Sequence, residues 1–84
     1  MYLKRSDCVP GRVLRGSGLP RTIPLLNKTL AYITSTGSRI SSLEPVLLLD
    51  VEFEETAWYL KVLTGKGEVG WIWLNPETPG FTLT

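Results

Sequence analysis

Apolar and polar positions alternate most regularly between Trp58 and Asn75, in the stretch WYLKVLTGKGEVGWIWLN. Trp58, Leu60 and Val62 fall on one face of a period-two pattern and Tyr59, Lys61 and Leu63 on the other, as a half-buried strand requires. Thr64 to Glu68 supplies turn chemistry, with Gly65 and Gly67 able to take positive φ, and a second strand is expected at once over Val69 to Leu74. Upstream, Val46 to Glu54 predicts the central strand, with Leu47, Leu49, Val51 and Phe53 on one face and Asp50, Glu52 and Glu54 turned to water. Glu55-Thr56 is a turn into the tryptophan hairpin.

Earlier still, TLAYIT over Thr29 to Thr34 reads as a strand with Leu30 and Tyr32 on one side and Ala31 and Ile33 on the other. A helix over Leu25 to Ile33 competes, but β-branched and aromatic residues end that segment and oppose it. Ser35 to Leu43, rich in Ser, Gly and Arg, reads as a polar connection. Before Lys28 the chain is interrupted by Pro10, Gly11, Gly16, Gly18, Pro20 and Pro24, so only short elements fit: a brief strand at Arg12 to Arg15 and extended, partly polyproline-like chain at Leu19 to Leu25. After Asn75 the PETPG segment breaks the sheet and Phe81 to Thr84 closes it.

These elements predict an all-β fold, a small barrel of five or six short antiparallel strands that curls to hide its edges. The expected division is a Pro/Gly-rich basic segment over 1–28 and the barrel over 29–84. A chain of 84 residues holds one domain with a modest core. Cys8 is the single cysteine and histidine is absent, so no internal disulfide forms and a protein-built zinc site is set aside. No N-terminal apolar segment resembles a secretion signal, and Val46 to Leu49 is far short of a membrane helix, so a cytoplasmic location is expected. Asn27-Lys28-Thr29 matches a glycosylation sequon but carries no weight without such a signal. A small chain starting at Met reads as an accessory protein of viral or operon origin.

The net charge of +1 conceals a division. Lys4, Arg5, Arg12, Arg15, Arg21, Lys28 and Arg39 precede residue 44 against Asp7 alone, whereas Glu44, Asp50, Glu52, Glu54, Glu55, Glu68 and Glu77 follow against Lys61 and Lys66. The halves either neutralise each other across the surface or leave a basic face for an acidic partner or nucleic acid.

From Val46 onward, PVLLLDVEFEETAWYLKVLTGKGEVGWIWLN resembles the second half of an SH3 domain, with Trp58-Tyr59 at the family's aromatic pair and Gly70-Trp71-Ile72 at its Gly-Tyr-Ile. YLKV followed by GWI is similar to the bacterial SH3-like variety, and the likeness covers about 29–84. The resemblance implies that Trp58 is a ligand-facing tryptophan, that Trp73 replaces a groove proline and that Asn75 bonds a ligand carbonyl. Pro76 stands where the family has a groove tyrosine, and Ser35 to Leu43 holds Arg39 but no acid, so a more acidic or apolar extended peptide is implied rather than a basic proline-rich one. Trp71 is assigned to the core, and Trp58 and Trp73 to an aromatic surface patch.

Gly65-Lys66-Gly67-Glu68-Val69-Gly70 satisfies GxGxxG, but a strand follows it instead of the helix that dinucleotide binding needs. Glu52, Glu54 and Glu55 read as a solvated strand face, and Cys8 has no histidine to activate it, so no catalytic residues, metal or cofactor are expected. The expected function is a non-catalytic interaction or assembly module that binds an extended segment of a partner protein through Trp58, Trp73 and Asn75. The alternative is nucleic-acid association, with Arg12, Arg15, Arg21 and Arg39 on phosphates.

Overall fold

The computed structural model describes residues 4–16, 21–29, 32–75 and, for the backbone, 81–83. Among these, seven strands are joined in one antiparallel sheet: β1 (Val13–Gly16), β2 (Thr22–Lys28), β3 (Ile33–Ser41), β4 (Val46–Phe53), β5 (Trp58–Leu63), β6 (Val69–Leu74) and β7 (Phe81–Leu83). The spatial order is β3-β2-β6-β5-β4-β1-β7, and the sheet curls into a half-barrel. The two sides of the curl approach each other where Gly16 of β1, the strand next to the β7 edge, lies against Ser42, just past β3. Ile23, Leu25, Ile40, Val46, Leu48, Trp58, Leu60, Val62, Ile72 and Leu74 pack inside with Leu14 and Cys8.

The β5–β6 hairpin matches the sequence reading residue for residue. Trp58 pairs with Leu74, Leu60 with Ile72 and Leu63 with Val69, and Gly67 takes φ +83° in the turn. Thr64 fixes that turn from both sides: its backbone amide donates to the Glu68 carbonyl and its hydroxyl accepts the Glu68 amide.

β4 departs from simple alternation. Leu48 pairs with Val62 and Asp50 with Lys61, so Leu49 is an extra residue, a bulge. The bulge switches the inward set from Val46 and Leu48 before it to Val51 and Phe53 after it. Leu47 and Leu49 therefore do not share the core face with Val51 and Phe53, and Leu49 is exposed. The Gly11 amide donates to the Leu48 carbonyl and the Leu48 amide to the Arg12 carbonyl, which ties the N-terminal chain to this point. β4 also lies off the centre of the sheet, a place β5 takes.

Two corrections concern β2 and β3. Of Thr29 to Thr34, expected as one strand, Thr29 and Tyr32 belong to the connection, where the Thr29 amide donates to the Tyr32 carbonyl, Ile33 and Thr34 begin β3, and Leu30 and Ala31 lie outside the described residues. Ser35 to Leu43, expected as a connection, is mostly strand β3. Leu25 of β2 stands opposite a three-residue bulge in β3, Thr36-Gly37-Ser38, with Gly37 at φ +86°. The Thr36 hydroxyl donates to the Leu25 carbonyl at 2.8 Å, taking over the ladder bond that the bulge interrupts. Pro24, which has no N–H to give, sits beside this irregularity, as a proline in a sheet must.

The Pro/Gly-rich N-terminal chain enters the same sheet. β1 pairs with β4 and β7, and β2 with β3 and β6, so the sheet shows no break at the expected 28/29 division. Of the Leu19 to Leu25 chain, Thr22 to Leu25 is strand β2 rather than polyproline helix. The expected break at Pro76 to Gly80 lies outside the described residues.

Candidate functional site

Strands β5 and β6 are apolar on both faces, and the inward set decides which aromatic rings are left outside. Ile72 and Leu74 are buried, as is Gly70, whose missing side chain makes room for Leu25: a Cβ there would come within 2.4 Å of the Leu25 Cγ. Trp71 and Trp73 are thereby committed to the outer face. Trp71 is half-buried there, a correction to its expected place in the core, and Trp73 is 49 % exposed.

Trp58 faces the opposite way. It is 7 % exposed, and its ring meets Phe53 edge-on at 5.3 Å and 81°. The Arg5 guanidinium, in a short 3-10 turn at Arg5–Asp7, lies over the Phe53 ring at 4.5 Å. Trp58 is thus a core residue at one end of the half-barrel, shielded from any ligand on the outer face. Asn75 is exposed and follows Trp73 past the end of β6. Of the three expected ligand residues, Trp73 and Asn75 stand close together and Trp58 lies behind the sheet.

Cross-strand pairing builds the outer face in rows. Glu52, Tyr59 and Trp73 form one, and Asp50, Lys61, Trp71 and Leu26 the next. Lys28 crosses them from β2, with its ammonium 5.1 Å from the Tyr59 ring and 5.4 Å from that of Trp71, and pairs with Glu52 of β4. The hydrogen bond that the Lys28 ammonium donates to the Glu52 carboxylate raises the lysine pKa, with the charges of Glu52 and Glu54 adding to it against desolvation. Because the lysine shift is upward, its contribution is complete at neutral pH and is lost as alkali removes the lysine proton. The sequence reading missed this seat. Its signal was the coincidence of a lysine just before a turn with an acid facing outward from another strand, which becomes a contact only through the sheet order.

The arginines expected on phosphates occupy different places. Arg12 and Arg15 are exposed at β1, Arg21 is exposed before β2, and the exposed Arg39 donates from Nε to the Thr22 hydroxyl at 2.9 Å. Arg21 accepts the Ser42 amide through its carbonyl, so Arg15 and Arg21 flank the seam where Gly16 meets Ser42.

Cys8 is buried in the core, where its thiol donates weakly to the Lys4 carbonyl at 3.6 Å. Burial first, and the Asp7 charge second, push its pKa up to about 11. The fold holds the thiol protonated, so stability is independent of this group below the ordinary thiol range and falls as pH rises toward that value. Reaction with a thiol reagent at pH 8 is expected to run at least about 100-fold slower in the folded protein than in denaturant. Equal rates would place Cys8 at the surface.

Among the described residues no helix is long and apolar enough to cross a membrane. Comparison with protein-family models, with curated proteins and with solved structures finds no match for this chain.

Proposed function

We propose that this chain is a non-catalytic interaction module that holds an extended segment of a partner protein on the outer face of its β5–β6 hairpin. The observation that carries the reading is Trp73, half-exposed and cross-strand from Tyr59, with Asn75 beyond it. Exposed indole offers a large rigid contact at small entropic cost, and a nearby amide can bond a peptide backbone. The likeness of Gly70-Trp71-Ile72 and Trp58-Tyr59 to the SH3-like pattern supports a peptide ligand, and the curled antiparallel sheet is compatible with a small barrel of that kind. Trp58 has no part in the surface, and Trp73 takes the role that the resemblance gave it. The buried, protonated state of the one thiol supports a non-catalytic role.

The test uses peptides selected from a random displayed library on the folded protein. Trp73→Ala is expected to weaken the selected peptides at least about tenfold while changing stability by less than about 1 kcal/mol. Peptides that bind the variant as tightly as the parent would refute the site.

A second reading rests on Arg15 and Arg21, exposed on either side of the closing seam. Nucleic-acid association there predicts retention on single-stranded DNA at about 50 mM salt that collapses by about 200 mM, and absence of retention at low salt removes it.

A further inference from the structure

Beside the aromatic rows runs a stripe of another kind. Val13 of β1 pairs with Leu47 of β4, Leu47 with Leu63 of β5, and Leu63 with Val69 of β6. Each of these residues neighbours an inward one, Leu14, Leu48, Val62 or Gly70, so the four project together from the outer face. Val13 is 40 % and Val69 50 % exposed, and Leu47 and Leu63 are half-buried between them. An aliphatic band about 14 Å long therefore crosses four strands on the solvent side, following the curl of the sheet.

The next row supplies the charge pattern that names the occupant. It places Asp50 on β4 directly opposite Lys61 on β5. A two-fold axis lying in the plane of the interface, running along the strands between β4 and β5, exchanges those two strands when one sheet is laid face to face on another. Leu47 then meets Leu63 of the second copy, Val13 meets its Val69, and Asp50 meets its Lys61, each contact occurring twice. The band is symmetric about this axis while the charges are opposite across it, which is the self-complementarity that an isologous interface requires. Both faces are convex, so the contact is closest along the axis, at Leu47 and Leu63, with Val13 and Val69 on its flanks. Any other apolar partner would have to supply a cation and an anion at the same separation.

We infer that the outer-face band Val13, Leu47, Leu63 and Val69 is a dimerisation surface for a second copy of this chain, registered by reciprocal Asp50–Lys61 pairs. Trp73 lies two rows from the band, at the edge of the paired sheets, so dimerisation and peptide capture occupy different parts of the face.

Sedimentation velocity tests this with the full chain between about 10 and about 500 µM, the range in which a small interface titrates. The parent is expected to shift from monomer toward dimer, and Leu63→Lys to remain monomeric with an unchanged circular dichroism spectrum. Asp50→Lys and Lys61→Asp chains are each expected to dissociate at least about tenfold more readily, because each places like charges across the axis, and a mixture of the two is expected to form a heterodimer. A parent that stays monomeric throughout, a dimer that survives Leu63→Lys, or a mixture that associates no better than its two folded components would overturn the proposal. So would a mass that grows past the dimer, which marks an open, head-to-tail contact.

Discussion

Replacing Trp58 by alanine is expected to destabilise the protein by about 3–5 kcal/mol, the range found for deleting a large aromatic from a packed core. For a chain of 84 residues that is much of a total stability of about 4–13 kcal/mol. The size follows from the ring's surroundings. Trp58 sits between Phe53 and Leu74 on neighbouring strands, and Arg5 caps Phe53 in turn, so removing the indole opens a cavity at the end of the barrel that rigid strands cannot fill. Chemical denaturation should show the loss as a fall in midpoint with little change in slope. A Trp58→Ala protein as stable as the parent would mean that the ring is outside.

The second large effect is at the seam. A Cβ on Gly16 would lie 2.2 Å from the Ser42 carbonyl oxygen, and that oxygen belongs to the backbone. Gly16→Ala therefore has to push β1 away from the end of β3, and a cost of about 3 kcal/mol or more is expected, at the upper end of overpacking effects. Gly70→Ala provides the comparison. Its new methyl would meet the Leu25 side chain, which has rotamers to explore, so about 1–3 kcal/mol is expected. Thermal melts of the two variants side by side check the ordering. A mild Gly16→Ala would show that the sheet does not close at Ser42.

Which parts of this fold could be read in advance depended on whether burial or hydrogen bonding specifies them. The β5–β6 hairpin was legible because its alternation and its Gly-rich turn report the same register. β3 was not. Ser35, Thr36, Gly37, Ser38 and Arg39 carry no apolar period, and the strand is held by ladder bonds to β2 and by its hydroxyls rather than by burial, with Ile40 as its one buried residue. Conversely, TLAYIT had strand composition throughout, yet Thr29 and Tyr32 close the reversal between two strands and Ile33 is the first residue of β3, so topology outweighs propensity at these positions. The Leu49 bulge was hidden by its own neighbours, since in VLLL, Val46 to Leu49, an aliphatic residue stands at every position and either register gives an apolar face.

The candidate site was legible in the same partial way. That an outer aromatic surface exists followed from apolar residues on both faces of one hairpin. Which rings occupy it did not, because Trp58 and Trp71 are equivalent in alternation. The choice came from Gly70, which leaves space for Leu25 only on the face shared with Ile72 and Leu74. The Lys28 seat over Tyr59 and Trp71 depends on β2 lying beside β6, a neighbour relation that no local pattern encodes.

The division of the three tryptophans between the two sides of the sheet is what the functional reading stands on, and iodide quenching measures it directly. Two variants each keep one of these tryptophans: Trp71→Phe with Trp73→Phe leaves Trp58, and Trp58→Phe with Trp71→Phe leaves Trp73. Trp58 should emit at short wavelength and resist the quencher, whereas Trp73 should emit to the red and be quenched several-fold faster. Equal quenching of the two, or a Trp58 more accessible than Trp73, would contradict the arrangement and with it the proposed surface.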